Sequence, residues 1–234
     1  MFLKMKKFWE KISIKKKSSN SFCIMLDERI LKTPLKRELV LPNLNLAQEV
    51  VKEWDQDSKN INTESMIFYG LISTSIDKII DNRNLYINDI LDYIDTDLVC
   101  YRAENPKELV ELQKNKWNPI TLLIEEYIGT KIETFQGILP QKQDTKVHDR
   151  LTNLISQFDN FKIAALHRIT NITGSIFLSL CILKKDISNN EVFELSLLDE
   201  LWQAENWGFD KDTSQKRKEI FIELKRTIFF LDCL

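Results

Sequence analysis

The residues best suited to chemistry lie in one short stretch, DYIDTDLVCYRAENP, residues 92–106. It holds three aspartates, a cysteine and an arginine: Asp92, Asp95, Asp97, Cys100 and Arg102. Clustered carboxylates beside a thiol and a guanidinium are what acid–base or metal chemistry requires. The same residues are also typical of two helix ends that meet, where aspartate accepts hydrogen bonds from backbone N–H groups. Two hypotheses follow, a carboxylate-based hydrolase or metal enzyme using Asp92, Asp95 and Asp97, and a structural junction.

Helical periodicity favours the structural hypothesis. The apolar series between residues 85 and 98 predicts a helix whose exposed side carries Asp92 and Asp95, three residues apart. Two exposed carboxylates do not form a catalytic dyad, because a dyad needs burial to separate the two pKa values. Asp97 is expected to cap a break in the helix. Arg102 is expected to pair with Asp97 or to bind a carbonyl at the junction of two domains, to which Trp54 is also assigned.

No familiar catalytic motif accompanies this stretch. The histidines, His148 and His167, lack metal-ligand spacing, and the chain has neither a G-x-S-x-G elbow nor a G-x-G-x-x-G loop. The fragment GTK at residues 129–131 lacks the upstream glycine of a phosphate-binding loop. The four cysteines stand far apart and form no C-x-x-C pair: Cys23, Cys100, Cys181 and Cys233. We therefore expect no catalytic residue, no metal and no cofactor.

Composition narrows the class of protein. With 234 residues, 43% of them hydrophobic, and only five glycines and five prolines, the chain predicts a globular and largely helical protein. The net charge of −2 gives no electrostatic reason to expect a nucleic-acid partner. The most apolar window, SIFLSLCIL, is too short to span a bilayer, so membrane insertion is not expected. Isolated cysteines are typical of a reducing cytoplasm.

The pattern of apolar residues divides the chain into two parts. Residues 1–42 alternate apolar and polar side chains between turn clusters, which predicts a sheet built from hairpins. After Pro42 the period becomes helical, with Asn45 and Gln48 predicting a capping box. A second helix is predicted around SMIFYGLISTSIDKIID. Residues 1–83 are therefore predicted to form a small α/β domain, a hairpin sheet covered by helices.

Residues 84–234 are predicted to form an all-helical bundle. Helix starts are expected at Asn105–Pro106, at Asn118–Pro119 and at Ser188 with Glu191. Helix ends are expected at Gly129 and Gly208. No internal repeat or linker is evident. The predicted fold class is α+β.

A second candidate site lies in the stretch LDELWQAENWGFD. Glu200, Gln203 and Trp207 are spaced i, i+3, i+7, so one helix face would present an acid, an amide and an indole, with Asp199 beside them. One interpretation is that Trp207 fills the core of the bundle while the acids face water. The other is a protein-binding surface with an aromatic anchor.

Several motifs together resemble a known family. They are LDERILKTP (26–34), EWDQD (53–57), YIDTDLVCYRA (93–103), QKNKWNP (113–119), GILPQKQ (137–143), TGS (173–175) and LDELWQAENWGFD (198–210). In order and spacing the chain resembles the ATP synthase assembly chaperones of mitochondria and alphaproteobacteria, which bind the α subunit of the catalytic head. The departures are modest: Asn118 stands where the family usually has aspartate, and Trp202 replaces a smaller aromatic residue.

The resemblance carries expectations about fold and function. It implies a small α/β domain followed by a helical orthogonal bundle, and a protein that is not an enzyme and needs no nucleotide. It implies that the chain holds the unassembled α subunit until β subunits replace it, with Glu200 at the family's important acidic position and Asp199 as the alternative. A monomer in a bacterial cytoplasm is expected rather than a mitochondrial matrix protein, because no presequence precedes the first strand.

Overall fold

The computed structural model describes residues 4–56, 60–137, 139–208 and 211–234. Parts of three motifs therefore lie outside the described residues: the last residue of EWDQD, the second residue of GILPQKQ and the last two residues of LDELWQAENWGFD. The chain forms two compact units. The first contains residues 1–83, 159–165 and 229–234, and the second contains residues 84–158 and 166–228. A division into 1–83 and 84–234 does not anticipate the two later segments of the first unit.

The first unit is built around a small antiparallel sheet. Its described residues include six strands: β1 (Lys4–Lys6), β2 (Ile12–Ser18), β3 (Ser21–Leu26), β4 (Arg29–Ile30), β5 (Val40–Leu41) and β6 (Asn60–Asn62). Strand β3 pairs with β2, β4 and β5, while β1 pairs with β6. Ile24 and Leu26 lie two residues apart on β3, and both are buried. The hairpin sheet expected from alternation is present.

Helix α1 (Leu44–Trp54) covers this sheet with an apolar side that includes Ala47, Val50 and Trp54. Its N-cap is Asn43 and not Asn45, so that prediction is wrong by two residues. The Asn43 side chain accepts a hydrogen bond from Leu46 N at 2.9 Å and donates one to Cys233 O at 2.8 Å. The second bond joins residues that are 190 positions apart in the chain, and no local pattern could reveal it.

The helical segment that follows is interrupted. It consists of α2 (Ile67–Thr74), a π-helical turn (Ser75–Ile79) and α3 (Ile80–Leu91). The buried carboxylate of Glu53 on α1 accepts hydrogen bonds from Phe68 N and Tyr69 N, each at 2.9 Å. The first N–H groups of a helix lack internal partners, so Glu53 caps α2 from a neighbouring helix.

The rest of the chain is mainly helical. The helices are α4 (Lys107–Ile128), α5 (Thr145–Ile155), α6 (Asn160–Thr173), α7 (Ile176–Lys184), α8 (Asn189–Ser196), α9 (Leu198–Trp207) and α10 (Lys211–Asp232). Helix α7 is buried over nearly its whole length. The predicted α+β class is confirmed. The second unit differs in one detail from the predicted all-helical bundle. It also contains a short parallel strand pair, β7 (Tyr101–Arg102) with β8 (Phe135–Gln136). Within the described ranges no helix is both long and apolar enough to cross a membrane.

Most helix starts and ends that the local sequence predicts are present in the structure, but one is not. Ser188 and Glu191 form the expected capping box, and Gly129 and Gly208 stand at helix ends. The predicted start at Asn118–Pro119 is wrong, because α4 continues through Pro119. Trp117 and Ile120, on either side of the proline, are buried. We attribute the continuity to this burial, which outweighs the cost of about 3 kcal/mol for proline inside a helix.

Candidate functional site

Asp97 is fully buried and caps a helix from a distance in sequence. One of its oxygens, Oδ1, accepts hydrogen bonds from Val99 N at 3.1 Å and from the Ser175 hydroxyl at 2.7 Å. The other, Oδ2, accepts from Phe177 N at 3.1 Å. Ser175 is itself the N-cap of α7, with its hydroxyl accepting from Leu178 N at 3.0 Å. Asp97 therefore ties the chain before β7 to the first turn of the most buried helix.

The environment of Asp97 favours its neutral form. Burial raises the pKa of this carboxyl from an ordinary 3.8 to about 7, although the hydrogen bonds from Ser175 and from the backbone act in the opposite direction. A perturbed carboxyl in a cleft would be a candidate acid or base. The oxygens of Asp97 instead face backbone N–H groups and a serine hydroxyl, an arrangement that holds structure.

The three aspartates of the opening stretch have separate surroundings. Asp92 is exposed, whereas Asp95 Oδ1 accepts from Gln143 N at 2.9 Å and lies 2.9 Å from His148 Nε2. Among the residues that the structure describes, no group of three or more histidine, cysteine or acidic side chains could hold a metal ion. The geometry therefore supplies no ligand set for the metal-enzyme hypothesis.

The cysteines are poorly suited to nucleophilic chemistry. All four are buried, and none forms a disulfide. Burial raises the pKa of the Cys100 thiol far above its ordinary value and that of Cys181 to about 12. Because the thiolate is the reactive form, the raised pKa disfavours nucleophilic attack by Cys100 and Cys181.

Arg102 does not pair with Asp97 but binds a carbonyl within the second unit, and its predicted role at a domain junction stays a prediction. Its Nη1 donates to Gln113 O at 2.8 Å, and its guanidinium lies 5.3 Å from the centre of the Trp117 ring. Burial lowers the pKa of the Arg102 guanidinium. The side chain of Gln113 donates to Asp199 Oδ1 at 2.7 Å. Asp199 is therefore linked to Arg102 through one buried glutamine.

Trp54, the third residue assigned to the junction, lies at the end of α1 in the first unit. It is buried in an aromatic cluster, with ring centres 5.2 Å from Trp9 and 5.0 Å from Tyr69. Its role there is packing within the first unit, and a role at a junction stays a prediction.

The predicted binding residues on α9 fall into two groups. Glu200, Gln203 and Trp207 are exposed, while Asp199 is half-buried against Gln113. Trp207 is 75% exposed, so it does not fill the core of the bundle. Its ring packs edge to face on Trp202 with centres 5.7 Å apart. Arg217 on α10 lies 3.8 Å from a Glu200 carboxylate oxygen.

An apolar groove that was not predicted from the sequence lies beside these residues. A second face of α9 meets α4 and α8 around a groove of about 570 Å³. The groove is lined on α9 by Leu198, Leu201, Trp202 and Glu205, and at its edges by Glu191, Glu194 and Lys116. The i, i+3, i+4, i+7 spacing of the α9 residues could have indicated this face. The groove therefore combines apolar side chains with more acidic than basic groups.

Comparisons with known proteins agree with this architecture. The family model described as ATP12 chaperone protein matches residues 6–125, just over half of the chain. The mitochondrial protein atp12 of Schizosaccharomyces pombe is 26% identical over 224 residues, covering 90% of this chain and 76% of the relative. These matches span both compact units.

Solved structures extend the likeness to nearly the whole fold. Atp12 of Paracoccus denitrificans is 28% identical with a TM-score of 0.90, covering 97% of each chain, and a variant of that protein with lysine in place of an aspartate matches equally well. The Atu1473 protein of Agrobacterium tumefaciens is 29% identical with a TM-score of 0.92, covering 97% of this chain and 85% of that one. From the family model, the yeast relative and these structures together, the chain belongs to the ATP12 chaperone family, the ATP synthase assembly chaperones that its motifs resemble.

Proposed function

We propose that this protein binds the unassembled α subunit of the F-type ATP synthase catalytic head and keeps it from aggregating until β subunits replace the chaperone. The observation that carries the proposal is the surface of α9, where Trp207 is 75% exposed beside a groove lined by leucines and Trp202. We name Trp207, Glu200, Gln203 and this groove the α9 surface. Family membership supports an ATP synthase subunit as the client, and the motif resemblance favours the α subunit.

The composition of the α9 surface suits a temporary partner. A subunit interface that awaits assembly is an exposed apolar patch, and covering it prevents association with wrong partners. Tryptophan is enriched at the few positions that dominate binding energy. The carboxylates of Glu194, Glu200 and Glu205 keep the rest of the surface polar, which favours an affinity that the true partner can exceed.

We propose further that the chaperone acts without catalysis, nucleotide or metal. The hydrogen bonds of Asp97 and the buried thiols support a structural role for the residues that first suggested chemistry. Metal analysis of the purified protein tests this part. A stoichiometric divalent ion would revive the metal-enzyme hypothesis.

We propose that the protein is a monomer and acts in a reducing compartment, such as a bacterial cytoplasm. Four buried cysteines, none of them in a disulfide, support the reducing compartment. Light scattering at several concentrations measures the mass of the free protein. A stable dimer at low micromolar concentration would contradict the monomer.

The function is tested by aggregation of the isolated α subunit. The α subunit is diluted from denaturant with or without the chaperone, in the absence of ATP, and light scattering is followed. We expect suppression at a modest molar excess, and release of the α subunit when β subunit is added. An inert protein of similar size and charge serves as the control. No suppression at several-fold excess would overturn the proposal.

A further inference from the structure

A second cleft lies between the β7–β8 pair and helix α4, within the second unit. Its volume is about 470 Å³. Six polar residues line it, together with Val110 and Phe135: Arg102, Lys114, Asn118, Thr134, Gln136 and Gln141. None of these residues lines the groove beside α9. The cleft is thus a separate feature that the proposed function does not use.

The charge of this cleft is one-sided. Arg102 and Lys114 are both cationic, and none of the lining residues is acidic. The remaining polar groups are amides and a hydroxyl, which can donate hydrogen bonds. The carboxylate of Asp199 acts electrostatically on the pKa of Arg102, but its Oδ1 already accepts a hydrogen bond from Gln113. A cleft with two cations, several donors and no acid favours an anionic ligand.

The unused hydrogen-bond donors of Arg102 favour an anion with two adjacent acceptor oxygens. Nη1 donates to Gln113 O, but Nε and Nη2 are buried and have no hydrogen-bond partner among the described residues. Nε and Nη2 lie on the same side of the guanidinium and form one of its two forks, which matches the two oxygens of a carboxylate. A buried donor without an acceptor destabilises the protein, so an arriving acceptor would recover that free energy.

We infer that the cleft is a carboxylate-binding site. The carboxylate accepts both hydrogen bonds of the free fork of Arg102, while the ammonium group of Lys114 and the amide of Asn118 approach from α4. Stacking on Trp117 and the bond to Gln113 O hold the guanidinium in place, so little side-chain freedom is lost on binding. The two nitrogen atoms are buried, so binding requires that a neighbouring group move aside.

The carboxylate can come from an acidic side chain of another protein or from a free organic acid. The test is a titration of the purified protein followed by NMR of its arginine Nε–H groups. The probes are succinate, an acidic dipeptide blocked at both ends (N-acetyl-Glu-Ala-amide) and inorganic phosphate. We expect the dipeptide or succinate to shift the Arg102 signal saturably, and the tighter of the two names the source.

Two variants and one control complete the experiment. Arg102→Lys identifies the signal and removes the fork. Because Arg102 supports the fold, the decisive variant is Lys114→Glu on the exposed side of α4, which should weaken carboxylate binding about tenfold or more. Lys107→Glu makes the same charge change on α4 outside the cleft and should leave binding unchanged.

The outcomes separate clearly. No saturable shift with either carboxylate, or the same affinity in Lys114→Glu, overturns the inference. Tighter binding of phosphate than of both carboxylates also overturns it, because the fork would then serve a different anion. The titration contains no α subunit, so its result is independent of the proposed chaperone function.

Discussion

Two helix starts in the second unit use acidic side chains in opposite ways. Before α7, Asp97 is fully buried and its oxygens accept hydrogen bonds from Val99 N, Phe177 N and the Ser175 hydroxyl. In the first turn of α9, Glu200 is exposed, and the N-cap residue of this helix, Leu197, has an apolar side chain that makes no capping hydrogen bond. A carboxylate whose hydrogen bonds are made inside the protein maintains architecture. The Glu200 carboxylate, which lies 3.8 Å from Arg217 on α10, is exposed and stays accessible to a partner.

The residues suited to chemistry lie in the aspartate cluster, whereas the surface open to a partner lies on α9. The aspartate cluster has the sequence of an active site, but its members serve separate local structures. The α9 surface looks like an ordinary amphipathic helix, yet Trp207 is exposed and an apolar groove lies beside it. The two regions should therefore respond differently to substitution, one in stability and the other in binding.

The largest effect is expected for Asp97→Ala. Removing the carboxylate leaves three buried donors without their acceptor, which should lower the free energy of unfolding by about 3 kcal/mol or more. Urea unfolding followed by circular dichroism measures the change. Asp92→Ala, an exposed aspartate in the same stretch, is the matched control and should stay within about 0.5 kcal/mol. Equal, small effects of the two would contradict the structural role of Asp97.

Trp207→Ala should affect binding and leave stability nearly unchanged. Loss of an interfacial tryptophan anchor typically weakens binding by about 2 kcal/mol. Titration of labelled α subunit with chaperone measures the affinity, and thermal unfolding measures stability. Leu122→Ala removes another exposed apolar side chain, on α4, and should leave the affinity unchanged. If Trp207→Ala binds as tightly as the unmodified protein, the α9 surface is not the client site.

The raised pKa of Asp97 should make the free energy of unfolding depend on pH. Below pH 3.8 the Asp97 carboxyl is protonated in both states, and between pH 3.8 and about 7 only the folded protein retains the proton. Stability should therefore fall as pH rises through this window, by at most about 1.4 kcal/mol per pH unit, and level off above it. The reference is Asp97→Asn, which cannot titrate. A difference between the two proteins that is independent of pH would show that the pKa is not raised.

The smallest effect is expected for Glu200→Lys. Its side chain is exposed, so the fold should persist, while the reversed charge should weaken α-subunit binding by about 1 kcal/mol and change its salt dependence. The same titration at low and high salt measures both. Glu126→Lys makes the same change on the exposed side of α4 and is the control. Unchanged affinity would remove Glu200 from the site.

Features that depend on neighbours in sequence could be predicted. The capping box at Ser188 and Glu191 and the helix ends at Gly129 and Gly208 follow from backbone groups satisfied within a few residues. The hairpin sheet and the α+β class follow from the period of apolar residues. Each of these involves interactions that are short in range, so the local sequence contains the information.

Other features depend on contacts between residues that are far apart in the chain. Asn43 caps α1 while bound to Cys233 O, and α4 continues through Pro119 because buried side chains on both sides hold it. The exposure of Trp207, the groove beside it and the free fork of Arg102 depend on which elements pack against α4 and α9. Most secondary-structure elements and the family motifs can be recognised from local sequence, whereas burial and hydrogen-bond partners are set by residues distant in the chain.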